Sequence, residues 1–168
     1  MDNSEVWGLL TRKTGKQGEQ VSVCMKREFE HDIQRVWAML TDVGCLGNWL
    51  APGTIDLCLG GEVKVDFGLS GTPIDSHVTA IQHESLLEYS WSAGSDPERP
   101  IRWELSPTER GTLLKLTLTL PDDDRVAVSC AGWDAHLEML TAALEGINIH
   151  FPADRFRQAR EGFSQLTR

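Results

Sequence analysis

Between Val21 and Phe29 apolar side chains alternate with polar ones, so that Val21, Val23, Met25 and Phe29 share a face that also carries Arg27. A period of two predicts a strand with one buried side. The period changes in HDIQRVWAMLTD, where Ile33, Val36, Trp37 and Leu40 fall at helical spacing behind Asp32, a good N-cap residue. A second short helix is expected over CLGNWL, stopped by Ala51-Pro52-Gly53.

Short strands then follow one another: IDLCL, EVKVDFG, IDSHVTAI, LLEYSW, IRWELSP and GTLLKLTLTL. In each of three, one register is apolar and the other polar. Val63, Val65 and Phe67 alternate with Glu62, Lys64 and Asp66; Ile101, Trp103 and Leu105 with Arg102 and Glu104; Leu114, Leu116, Leu118 and Leu120 with Lys115, Thr117 and Thr119. Such a sheet has one wet face and one buried face. The links LGGE and SPTERGT are too short for parallel crossovers, so the strands pair antiparallel. Near the start VWGLLTR is also strand-like, and KTGKQGE has the content of a turn.

The buried face needs a cover, and GWDAHLEMLTAALEG supplies one. Trp133, Leu137, Leu140, Leu144 and Ile147 form one helical stripe, with Asp134, Glu138, Thr141 and Glu145 on an adjoining polar strip. Asp122, Asp123 and Asp124 suit the positive end of the helix, and Gly146 suits its C-terminal cap. The expected class is α+β: a curved antiparallel sheet closed by a long C-terminal helix, with two short helices after the first main strand. Residues 1–18 form an N-terminal strand and turn, 19–147 the main domain, and 148–168 a C-terminal extension. In that extension Phe156, Ala159, Phe163 and Leu166 share a helical face that Gly162 weakens.

The 168 residues suit one domain, and 40% apolar content is ordinary for a globular chain. A net charge of -9 argues against a nucleic-acid partner and against an anionic membrane surface. No run reaches the ~20 apolar residues of a membrane span, and MDNSEVWGLL lacks a basic leader. Cys24, Cys45, Cys58 and Cys130 show no metal spacing and read as reduced thiols of a cytoplasmic protein, monomeric or homodimeric.

No catalytic set stands out. His77 and His83 lie too far apart along their strand to share a metal, and no HxxxH, HxH or HExxH exists. Neither GLSGT nor LGG leads into a helix as a phosphate cradle does. No metal and no cofactor is expected. Six tryptophans are many for this length. Trp37, Trp49, Trp91, Trp103 and Trp133 fall on apolar faces, as plain core or as a lining for a flat apolar ligand. Arg27, in an inward register, either takes a ligand carboxylate or phosphate as its partner, pairs with a carboxylate of the protein, or snorkels out to water. Tyr89 and Ser76 offer hydroxyls in apolar registers, to a ligand or to buried backbone. His136 borders the helix stripe and is the one histidine placed to face a cavity.

VWAMLTD, then NWL, then GGEV resemble the opening of the activator of heat-shock-protein-90 ATPase-like family, within the START-like (SRPBCC, Bet v 1-like) superfamily. GWDAHLEMLTAALEG resembles its closing G-W-x-x-x-L-x-x-L-x-x-x-L-x-G helix, and YSW and GTLLKLTLTL match two of its strands. The resemblance spans Val21 to Gly146, and departs where Val43-Gly44-Cys45 stands for the Pro-Glu of many relatives. It implies a helix-grip fold: a strongly bent sheet around the C-terminal helix with an apolar cavity between them. Candidates for that cavity are Arg27, Trp37, Trp49, Phe67, Tyr89, Trp91, Trp103, Trp133, His136 and Leu140. Three functions follow from such relatives. The first is non-enzymatic binding of an apolar or amphipathic small molecule. The second is a co-chaperone-like role in stress, touching a chaperone through the surface. The third is a polyketide cyclase or aromatase-like reaction using Tyr89, His136 and Arg27.

Overall fold

The computed structural model describes residues 7–15, 18–66, 73–94 and 97–167. Among them eight strands form one antiparallel sheet: β1 (Leu9–Gly15), β2 (Gly18–Phe29), β3 (Gly53–Ile55), β4 (Glu62–Val65), β5 (Ile74–Gln82), β6 (Leu86–Ser90), β7 (Pro100–Pro107) and β8 (Thr112–Pro121). Their spatial order is β1-β2-β8-β7-β6-β5-β4-β3. The helices are α1 (Ile33–Thr41), α2 (Val43–Leu46), α3 (Val126–Leu144) and α4 (Ala153–Leu166). This is the α+β helix-grip arrangement, with α1 and α2 inserted after β2 and α3 closing the curved sheet.

The alternating registers set the core. Met25 stands opposite Leu116, which stands opposite Trp103 on its other side. All three are buried, as are Val21, Val23, Leu114 and Leu118. Leu137 and Leu140 of α3 meet them with no exposed surface. Each large aliphatic side chain so buried contributes about 1.5–3 kcal/mol.

Local signals explain several boundaries. Asp32 caps α1 by accepting the Arg35 N–H at 2.8 Å. Asp42 closes α1 through its own N–H to the Ala38 carbonyl and opens α2 by accepting the Gly44 N–H. The second helix therefore covers Val43–Leu46 rather than CLGNWL, and turns carry the chain through Trp49. IDLCL is not a strand beyond Ile55. Gly60 and Gly61 bond Val78 across the sheet and so occupy the place beside β5, leaving Leu57 and Leu59 exposed. Gly60 reaches that turn at φ +81°, a conformation that suits glycine.

The end of α3 also differs from the sequence pattern. Gly146, at φ +76°, donates to the Ala143 carbonyl, and Ile147 donates to Ala142. This is a Schellman closure. It turns Ile147 off the stripe, 55% exposed.

On the flank away from the sheet, α3 is covered by α4. Ala159 and Phe163 are fully buried there, and Trp7 packs on Phe163 at 6.1 Å between ring centroids. A Cβ on Gly162 would lie 2.2 Å from the Trp7 indole nitrogen, so the glycine makes room for that ring. Because α4 lies here, Asp134 is not on a solvent strip at all: it has no exposed surface.

Candidate functional site

Antiparallel pairing brings the ends of β4, β6 and β8 and the starts of β5, β7 and α3 to one end of the sheet. There a cleft of about 200 Å³ opens between the first half of α3 and the ends of β6, β7 and β8. The sheet side contributes Trp91, Arg99, Ile101 and Leu120, and α3 contributes Val128, Ser129, Gly132, Trp133 and His136. A Cβ on Gly132 would meet nothing within 4 Å, so the missing side chain keeps part of this space open.

The aromatic wall runs from the cleft into the core. Trp91 meets Trp133 edge-to-face at 4.8 Å, Trp133 meets Trp103 at 5.7 Å, and Trp103 meets Trp49 at 5.8 Å. Such edge contacts each add about 0.5–1.5 kcal/mol beyond burial and fix the rings. The inner members are fully committed. The Trp49 indole donates to the Met39 carbonyl at 2.8 Å. The Trp103 indole hydrogen-bonds the Tyr89 hydroxyl, and burial drives the Tyr89 phenol above its ordinary pKa. Ser76 likewise donates to the Ser90 carbonyl at 2.7 Å.

His136 stands in the cleft wall with Nδ1 3.0 Å from the Trp49 carbonyl oxygen. A carbonyl only accepts, so Nδ1 carries the hydrogen, and Nε2 of the neutral ring is an acceptor. Burial lowers the imidazole pKa below its usual value, against the smaller opposing pull of that hydrogen bond. Trp133 and Phe151 flank the ring at about 6 Å.

Arg99 supplies the cleft's cation. Its backbone is pinned, the N–H to Ser90 Oγ at 2.8 Å and the carbonyl to the Trp91 N–H at 2.8 Å. The space continues past Arg99, Leu120 and Ser129 into a narrower part of about 90 Å³ that reaches Pro121, Asp123, Arg125 and Val126. A second, more open depression of about 500 Å³ lies between Val43, Pro52–Thr54 and the β4 and β5 ends, and among the described residues no aromatic ring lines it.

Of the residues named for the cavity, Trp91, Trp133 and His136 come together in this cleft. Trp37, Trp49, Tyr89, Trp103 and Leu140 are packed core, each 5% exposed or less. Phe67 and the GLSGT turn lie outside the described residues. Arg27 goes to the other flank of α3. It donates to Asp134 Oδ1 at 2.7 Å, and Arg155 donates to the same carboxylate at 2.8 and 3.3 Å. The Arg155 guanidinium stacks on Trp7 at 4.7 Å, and its hydrogen bond to Asp134 raises its pKa. The carboxylate that Arg27 needs is thus the protein's own.

Sequence reasoning passed over Arg99, Ser129 and Gly132. A signal existed for each. Arg99 falls two residues before Ile101, just ahead of β7 and in line with its inward register, and Ser129, Gly132 and His136 recur at helical spacing beside Trp133. Among the described residues no group of three or more His, Cys, Asp or Glu could hold a metal, and no helix is long and apolar enough to cross a membrane.

Solved structures share this architecture. CalU16 from Micromonospora echinospora is similar with a TM-score of 0.79 at 20% identity, covering 95% of this chain and 96% of its own. A Mesorhizobium loti protein matches with a TM-score of 0.67 at 24% identity, over 76% of this chain and 99% of its own. DynU16, described as a putative protein in the dynemicin biosynthetic locus, matches with a TM-score of 0.69 at 26% identity, over 76% of this chain and 48% of its own. Comparison with curated proteins finds no match. The family model described as Activator of Hsp90 ATPase homolog 1-like protein matches residues 30–145, so the chain belongs to that family, within the START-like superfamily.

Proposed function

We propose that the protein is a non-enzymatic binding domain that takes a small apolar or amphipathic molecule in the cleft between α3 and the ends of β6, β7 and β8. The observation that carries this reading is the Trp91–Trp133 pair, fixed edge-to-face beside the open space at Gly132. Rigid rings around a preformed space bind flat molecules at little entropic cost. The volume of about 200 Å³ is below the ~300–1,000 Å³ of drug-sized sites, so it suits a molecule of one or two rings.

The polar groups favour binding over acid–base chemistry. A cyclase-type reaction needs a convergent acid and base. Among the described lining residues, His136 is the one acid–base group, with its pKa lowered by burial, and Arg99 offers only hydrogen-bond donors. Tyr89 is already held by Trp103 behind the wall. One similar structure is described as a protein in a biosynthetic locus, a setting of small-molecule chemistry that agrees with this reading. The family description names a chaperone ATPase activator, and a surface-acting co-chaperone is the alternative.

Titration of 2-naphthol, followed by calorimetry, tests the site. The wild type should bind, and Gly132→Leu, which fills the open space from a helical position, should abolish binding while keeping the fold. Equal binding by wild type and variant would place the molecule elsewhere, and no binding by either would leave the co-chaperone reading ahead.

A further inference from the structure

The arginines of this chain divide by what their side chains meet. Arg12, Arg27, Arg102, Arg110, Arg155 and Arg157 each pair with a carboxylate, and Arg35 reaches the Leu144 carbonyl. Among the described residues Arg99, Arg125 and Arg160 have no such side-chain partner. Arg125 and Arg160 are exposed, where water serves them. Arg99 is half-buried and lines the cleft.

The surroundings sharpen the contrast. The chain has 25 acidic residues against 16 basic ones, yet among the described residues no carboxylate lines the 200 Å³ part of the cleft. The narrower part does hold Asp123, but its Oδ1 accepts the Arg125 N–H at 2.8 Å. A half-buried guanidinium without an anion is poorly served by this site, and a planar carboxylate matches its fork of donors.

A second polar group lies further along. His136 follows Ser129 by seven residues on α3, about 10 Å along the helix axis. Arg99 and Ser129 line both parts of the cleft, whereas His136 lines the wide part alone. The anion-seeking donor and the neutral Nε2 acceptor are therefore set apart along an aromatic wall.

Resting on the binding reading above, we infer that the cleft selects a flat, one-ring acid carrying a hydrogen-bond donor at its far end. Arg99 takes the carboxylate, Trp91 and Trp133 hold the ring, and His136 Nε2 accepts from a hydroxyl or N–H. A hydroxylated arylpropenoic acid has the required length and chemistry.

The test compares three probes by calorimetry at neutral pH: 4-hydroxycinnamate, its primary amide, and cinnamate. The acid should bind at least tenfold more tightly than the amide. Arg99→Met should remove that preference by weakening the acid and leave the amide unchanged; Arg99→Lys, which keeps the charge without the fork, should retain part of it. Cinnamate should bind several-fold more weakly than 4-hydroxycinnamate. His136→Asn keeps a donor for the Trp49 carbonyl but removes Nε2, so it should erase that second difference. Melting curves of each variant establish that it is folded. Equal affinity for acid and amide, or equal weakening of both by Arg99→Met, overturns the inference and leaves the cleft as a binding site. So does failure of all three probes while 2-naphthol still binds. Failure of 2-naphthol as well removes the site itself.

Discussion

Asp134 and His136 stand two residues apart on α3 and face opposite worlds. Asp134 has no exposed surface, and both its oxygens are taken by arginines from β2 and α4. His136 uses one ring nitrogen on the Trp49 carbonyl and lines the cleft, whose wall also carries an arginine paired with no carboxylate of the described residues. The closed side ties three distant segments together through one carboxylate. The open side leaves hydrogen-bonding capacity unused within the protein. One helix thus separates the part of the molecule that holds the fold from the part equipped to recognise something else.

The largest effect should come from the closed side. Asp134→Ala leaves Arg27 and Arg155 partly buried with only the more exposed Glu138, 4.0 Å from Arg27, as counter-charge, so the loss should fall at the lower end of the about 3–5 kcal/mol for breaking a buried pair. Chemical denaturation should show a loss of that size, together with faster amide exchange in α4. A change under about 1 kcal/mol would mean that α4 docks by its apolar face alone.

Two glycines then set the sides against each other. Gly162→Ala drives a methyl into the Trp7 ring, which must move, and overpacking of this kind costs about 1–3 kcal/mol. The same change at Gly132 meets no atom within 4 Å, so the helix propensity of alanine should stabilise by up to about 1 kcal/mol. Thermal melts of the two variants should move in opposite directions. A shift of the same sign in both would show that the cleft is not open at Gly132.

The contrast also marks what the sequence could reveal. The strands of the core, the stripe of α3 and the family motifs were legible because periodicity and short motifs are local properties. The exposure of Ile147 turned on backbone bonds from Gly146 and Ile147 that a stripe count ignores. The IDLCL strand failed because β5 took its hydrogen bonds from Gly60 and Gly61 instead. The inward register of Arg27 marks a side chain in need of a partner, but that partner stands 107 residues away. Its burial depends on α4, which lies later still. Arg99 obeyed the same inward-register rule as Arg27 and was readable by it. Which of the two lacked a partner was a matter of tertiary placement, and no periodicity encodes that.

The smallest effect should be a change in pH dependence on the open side. Burial holds the His136 pKa in the folded protein below its unfolded value of about 6.5. Between the two values the unfolded chain binds a proton that the folded chain refuses, so stability rises with pH through that window. The contribution of His136 is fully present above about pH 6.5 and is lost as pH falls toward the lower, folded pKa. His136→Asn retains an N–H for the Trp49 carbonyl and removes the titration. Denaturation midpoints measured from pH 7.5 to pH 5 should therefore fall less steeply in the variant than in the wild type, with the two nearest each other at the acid end. Asp134 lies on the other flank of α3 with its own arginines, and Asp134→Asn should leave the wild-type slope between pH 7.5 and 6 in place. Parallel slopes for wild type and His136→Asn would show that the imidazole is hydrated in solution, and the wall of the cleft would then be open to water at His136.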